Sequence, residues 1–129
     1  MIDAQRVDFI AVPVRDLAQA EAFYGETLGL QKNPNSTETW VEFETENVTL
    51  ALVQPEQFGL PFATLPFASV VLRVPDVEAA RKKLEDAGIE FAMETFDSGV
   101  CNGAAFTDPE GNGLMLHRRY APYLDGTTP

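Results

Sequence analysis

One histidine, His117, carries whatever imidazole chemistry this chain has. It closes an apolar run, Leu114-Met115-Leu116, and opens a basic one, Arg118-Arg119. Trp40 is the single tryptophan, and Glu42 lies two residues beyond it. Residues two apart on a strand share a face, so indole and carboxylate fall together if this segment is extended. An indole stacks on planar or cationic groups. A carboxylate and an imidazole can pass a proton or hold a cation between them. Each has a plainer use as well: Trp40 as core, His117 as a strand-end residue hydrogen-bonded to its neighbour. A Glu42 turned inward needs solvent or a partner to stay charged, and Arg73 is one candidate. Cys101 has no basic neighbour in sequence to favour its thiolate, so it reads as structural. Arg118-Arg119-Tyr120 reads as a basic wrap that salt-bridges within an acidic protein, with an anion clamp as the alternative.

Several chemistries are absent from the sequence. There is no Gly-x-Ser-x-Gly elbow, Gly-rich phosphate loop, Cys-x-x-Cys or dinucleotide fingerprint. Nine Lys and Arg against twenty Asp and Glu give a net charge of −11, which excludes a nucleic-acid partner. That charge either draws a cationic ligand or simply keeps the protein in solution. No run approaches the ~18 apolar residues of a membrane span. A single cysteine forms no intrachain disulfide, and residues 1–6 lack the order of an export signal, so a cytoplasmic location is expected.

The elements that position these residues come in two copies. Ile10-Ala11-Val12-Pro13-Val14-Arg15-Asp16-Leu17 matches Val70-Val71-Leu72-Arg73-Val74-Pro75-Asp76-Val77 at an offset of 60 residues. Each copy is an apolar strand, an Asp that caps a helix, and a helical face: Leu17, Ala20, Tyr24 and Leu28, then Val77, Ala80, Leu84 and Ala87. Gly29 and Gly88 are the expected stops. Strands are predicted over residues 30–32, 39–44 and 48–53 in the first copy, and over 90–93, 99–107 and 113–118 in the second. Asp108-Pro109-Glu110-Gly111-Asn112 supplies the last turn. The order is βαβββ twice, an α+β fold in one domain, with modules at about residues 6–53 and 68–119. The linker, about residues 54–67, carries Phe58, Leu60, Phe62, Leu65 and Phe67 and is expected to pack down. Two such modules are expected to form a curved mixed sheet around a cleft.

With strand-Pro-Val-x-Asp-Leu at residues 12–17, Ala-Phe-Tyr-x-x-x-Leu-Gly at 22–29 and Asp-Pro-Glu-Gly-Asn at 108–112, the chain resembles the vicinal oxygen chelate superfamily. That family includes glyoxalase I, extradiol dioxygenases and bleomycin-binding proteins. The resemblance implies a cleft metal held by first- and fourth-strand residues of each module. Those positions fall here on Phe9, Ala51, Ser69 and Met115. Phe and Ala have no donor, Met is a soft thioether and a neutral Ser is weak, so the family's metal site is expected to be missing and no cofactor is expected.

Alternation then gives a cleft lined by Phe9, Trp40, Glu42, Ala51, Ser69, Met115 and His117, mostly apolar with a few polar anchors. The resulting expectation is a metal-free protein that sequesters an apolar or cationic small molecule. Two alternatives stand beside it. One is a glyoxalase- or dioxygenase-like lyase, isomerase or oxygenase using Glu42 and His117, with a displaced metal or by acid–base chemistry alone. The other is a dimeric interaction module, since members of the resembled family often form homodimers.

Overall fold

In the computed structural model, which describes all 129 residues, both predicted Asp caps close their helices. Asp16 accepts from the Gln19 N–H at 3.0 Å, and Asp76 from the Ala79 N–H at 3.0 Å. Both caps have extended backbone, so each side chain satisfies a donor that the first helical turn leaves free. Replacing Asp76 with Ala should cost about 1 kcal/mol. A urea denaturation curve should show the midpoint falling with an unchanged slope.

The chain divides into two units, Met1–Thr64 and Leu65–Pro129. In the first, β1 (Phe9–Pro13) leads into α1 (Leu17–Ala22), and β2 (Gln31–Lys32), β3 (Val41–Glu44) and β4 (Thr49–Val53) follow. In the second, β5 (Val70–Arg73) leads into α2 (Val77–Asp86), followed by β6 (Phe96–Asp97), β7 (Cys101–Thr107) and β8 (Gly113–Arg119). Each unit holds one four-stranded mixed sheet, in the orders β1-β4-β3-β2 and β5-β8-β7-β6. The first and last strands of each module pair in parallel and the other neighbours are antiparallel. Both sheets thus have the α+β βαβββ arrangement that the repeat implies.

Alternation sorts each sheet into two faces. In the first unit Val12, Val41, Phe43, Leu50 and Leu52 are buried on the face that meets the helix, where the Tyr24 ring lies 6.2 Å from Phe43. In the second, Val70, Ala104, Phe106, Leu114 and Leu116 are buried with Val77 and Leu84 of α2. Burying side chains of this size stabilises by about 1.5–3 kcal/mol each.

Three expectations need correction. The first helix does not continue as α to Leu28. Phe23–Thr27 is π-helical, closed by the Leu28 N–H on the Phe23 carbonyl at 2.9 Å. In that wider turn Phe23 and its neighbour Tyr24 are both buried, and Gly25 lies against the Phe43 ring. Residues 90–93 form no strand. The Arg81 guanidinium takes the Met93 carbonyl at 3.0 Å and the Thr95 hydroxyl at 3.1 Å, and pairing starts only at Phe96. The linker is not packed down throughout. Phe62 lies under Arg15, with the guanidinium 4.1 Å from the ring centroid, while Phe58, Leu60 and Phe67 are exposed.

The Asp108–Asn112 turn is a clamp. The Asp108 carboxylate accepts from the backbone N–H groups of Glu110 and Asn112, each at 2.9 Å, and from the Asn112 amide at 2.8 Å. The Asn112 side-chain oxygen accepts from the Leu65 N–H at 2.8 Å, and the Gly113 N–H donates to the Leu65 carbonyl at 3.0 Å. Asn112 is fully buried. The turn therefore fixes the end of the linker as well as joining β7 to β8.

Candidate functional site

In each unit the face away from the helix carries the sequence-predicted site residues. In the first, Phe9 belongs to β1, Ala51 to β4 and Glu42 to β3, with Glu42 and Ala51 direct register partners. Trp40 precedes β3 and is held at its backbone N–H by the Thr37 hydroxyl, 3.1 Å away. Its indole Nε1–H donates to Glu42 Oε1 at 2.8 Å, and its ring meets Phe9 edge-on at 5.7 Å between centroids and 88° between planes. Phe9 lies on β1 and Trp40 just before β3, the two neighbours of β4, whose Ala51 is fully buried. Phe9 is 46% exposed, and Trp40 and Glu42 are half-buried.

Glu42 makes no ion pair, and one of its oxygens remains beyond its bond to Trp40. The adjacent inward carboxylate, Glu44, is already engaged by the Asn33 amide at 3.0 Å and the Thr49 hydroxyl at 2.8 Å. The first unit thus presents two perpendicular aromatic rings beside a carboxylate whose position is fixed by one of them.

In the second unit Met115 and His117 lie on the helix-free face of β8, beside Val71 and Arg73 of β5 and Ala105 and Gly103 of β7. Met115 is buried and His117 half-buried. Ser69 is spent locally, its hydroxyl donating to the Pro66 carbonyl at 2.8 Å. Sequence reasoning missed Phe96. Its ring lies on Gly103, where a Cβ would come within 2.7 Å of it, and so joins this face. The glycine opposite an aromatic strand residue was the available signal.

Asp97 and Tyr120 form a further polar pair near Cys101. The Tyr120 hydroxyl donates to Asp97 at 2.6 Å and the Gly99 N–H at 2.9 Å. The tyrosine hydrogen bond, then the Gly99 bond, hold the Asp97 carboxyl below its ordinary value of 3.8, and the same bond raises Tyr120 above 10.0. A depressed carboxyl stabilises the fold above its unfolded pKa, and that contribution is lost as pH falls through the folded value. A raised phenol does the reverse, contributing below its unfolded pKa and losing that as pH rises through the folded value. Tyr120→Phe should return the Asp97 carboxyl toward 3.8, read by NMR titration of its side-chain carbon.

The donor set does not fit the metal that the family resemblance implies. Phe9, Ala51, Ser69 and Met115 supply no competent ligand set, and no group of three or more His, Cys, Asp or Glu side chains is placed to hold a metal ion. A shallow depression of about 440 Å³ lies elsewhere, between the first helix and Phe43, lined by Ala18, Glu21, Gly25, Glu26 and Lys32. It is on the helix side of the sheet, away from Trp40, and Glu21 and Lys32 pair with each other across it. No helix is long and apolar enough to cross a membrane.

Two βαβββ modules in one chain, each with a four-stranded mixed sheet, define the architectural class of this protein. The chain belongs to the Glyoxalase/Bleomycin resistance protein/Dioxygenase superfamily, whose family model matches residues 6–116. An uncharacterized protein of Mycolicibacterium smegmatis is 27% identical over 111 residues, 86% of this chain and 91% of that one. Among solved structures, TnmS3, an antibiotic binding protein from Streptomyces sp. CB03234, matches with a TM-score of 0.76 at 24% identity, over 92% of this chain and 99% of that one. Lactoylglutathione lyase from Agrobacterium tumefaciens matches with a TM-score of 0.74 at 18% identity, over 88% and 93% of the two chains. A binding protein and an enzyme therefore share this fold, and the fold does not choose between those functions.

Proposed function

We propose that this chain is a small-molecule-binding protein that sequesters an apolar or cationic ligand without a metal, seated on Phe9, Trp40 and Glu42. The observation that carries this reading is the Trp40–Glu42 hydrogen bond with the Phe9 ring perpendicular to the indole: a polarised aromatic surface beside a carboxylate that makes no ion pair. An indole whose N–H is held by a carboxylate presents its face to a planar or cationic group. TnmS3, which shares the fold, is an antibiotic binding protein, so the fold accommodates this reading.

Trp40 is the only tryptophan, so its emission reports this site alone. Titration with a panel of flat amines and their neutral isosteres should give saturable quenching at one ligand per chain, with the ligand recovered unchanged. Glu42→Gln retains an amide oxygen able to accept from the Trp40 indole, so it removes charge and leaves the ring in place. It should weaken cationic compounds about tenfold and neutral ones hardly at all. Absence of quenching across the panel would count against the seat, and chemical conversion of a bound compound would favour an enzyme.

A further inference from the structure

The second unit carries a group of cations that the proposed ligand seat does not use. Arg73 and His117 are register partners on adjacent strands, and Arg119 follows His117 by two residues on the same face. Four of the other basic side chains in this acidic chain are ion-paired. Arg6 reaches Asp8 at 3.6 Å, Arg81 reaches Glu85 at 3.4 Å, Lys82 reaches Asp86 at 3.4 Å, and Lys32 pairs with Glu21. Arg73 and Arg119 reach no carboxylate, although the chain has twenty.

What they share is Tyr123. Its hydroxyl lies 3.5 Å from Arg73 Nη1, and the Arg119 guanidinium sits 5.0 Å from its ring centroid. Arg119 Nη2 also donates to the Pro122 carbonyl at 2.6 Å, while its Nε–H is enclosed with no acceptor. An enclosed guanidinium donor without an acceptor is unfavourable. The paired N–H groups of a guanidinium match the oxygens of a carboxylate or phosphate better than a neutral phenol, which brings no charge.

We propose that Arg73, His117 and Arg119 form an oxyanion site for a small-molecule carboxylate or phosphate, and that Tyr123 occupies the position the anion takes. Tyr123 is exposed and lies in a short tail turn, its N–H on the Thr127 carbonyl at 2.8 Å and its own carbonyl accepting from the Gly126 N–H at 2.9 Å. That turn lies outside β8, so moving it breaks no strand pairing. The site does not depend on the Trp40 seat, which lies in the other unit.

NMR spectra of the full chain, recorded at constant pH and with ionic strength held by sodium chloride, would be followed during addition of inorganic phosphate and, separately, of benzoate. The expected result is a saturable shift at residues 73, 117, 119 and 123 that chloride alone does not produce. Saturation by phosphate, by benzoate or by both supports the site and identifies which oxyanion it takes. Arg73→Gln should bind at least about tenfold more weakly. Arg73 is exposed, so this variant should keep the wild-type spectrum elsewhere. Arg119→Lys, which keeps charge but loses the fork, should also bind more weakly, and Tyr123→Ala more tightly. Shifts that follow ionic strength alone would overturn the proposal, as would equal affinities in Arg73→Gln and a Lys82→Gln control. An unchanged Tyr123→Ala variant would overturn the role given to the tail.

Discussion

Gly113→Ala will cost the second unit about 3 kcal/mol or more, a large share of the 5–15 kcal/mol that holds a domain of this size together. The cause is contact and not backbone freedom. A Cβ at residue 113 would stand 2.1 Å from the Pro66 carbonyl oxygen, 2.7 Å from its carbon and 2.8 Å from the Phe67 Cα. All three atoms are backbone, so no rotamer change relieves the clash. Either β8 or the end of the linker must move, and movement breaks the bonds between Leu65 and the Asn112–Gly113 pair. Buried Asn112 and Asp108 would then lose partners in a low-dielectric setting, which adds to the cost. Urea denaturation is the measurement, with Thr107→Ala as comparison. Thr107 faces Gly113 in the register but is exposed, and its replacement should move stability by less than about 0.5 kcal/mol. A Gly113→Ala midpoint within error of wild type would show that residues 65–67 are not held against β8.

Trp40→Ala should abolish about 2–4 kcal/mol of binding, some 30- to 1,000-fold, for any compound that quenches the wild-type tryptophan. The ring is fixed before a ligand arrives: by Glu42 at the indole nitrogen, by a perpendicular contact with Phe9 and by the Thr37 hydroxyl at its backbone. A side chain already ordered loses little entropy on binding, so its contact area converts efficiently into affinity. Removing it also frees the Glu42 carboxylate. Trp40→Phe should keep part of the affinity, since it retains a ring but not the N–H. Calorimetry replaces fluorescence for both variants. A Trp40→Ala protein that binds within threefold of wild type would move the ligand seat off this face.

The repeat made most of the architecture legible. Two Asp caps at matching positions located both helices, and both caps are present. Alternation placed Phe43 and Phe106 against the helices and left Trp40 and Glu42 on the opposite face of their sheet. It could not show that the indole folds back onto Glu42 and Phe9, because that depends on a rotamer chosen by contacts across three strands. The strand expected at residues 90–93 failed for a similar reason: a side chain twelve residues earlier, Arg81, takes the Met93 carbonyl. The π turn depends on Gly25 meeting Phe43, and the cationic group depends on Tyr123 reaching Arg73 from fifty residues away. The Asp-Pro-Glu-Gly-Asn segment was readable as a turn. Its grip on Leu65, forty-seven residues earlier than Asn112, was not.

That grip has a consequence for synthesis on the ribosome. The first sheet has all four strands once Val53 has been made, and β1 can already pair with β4. Leu65 is different: its N–H and carbonyl find their partners only when Asn112 and Gly113 emerge. At about 5–20 residues per second, the linker end waits some seconds with unpaired backbone and the exposed ring of Phe67 beside it. β5 waits equally for β8, its only neighbour in the sheet. The nascent chain therefore passes through an interval in which the first sheet has all its strands while β5, α2 and the apolar linker end still lack their partners. That interval is when holdases or aggregation would act on this protein, and mutations in the Asp108–Gly113 clamp would expose the linker end there as well as destabilise the finished fold.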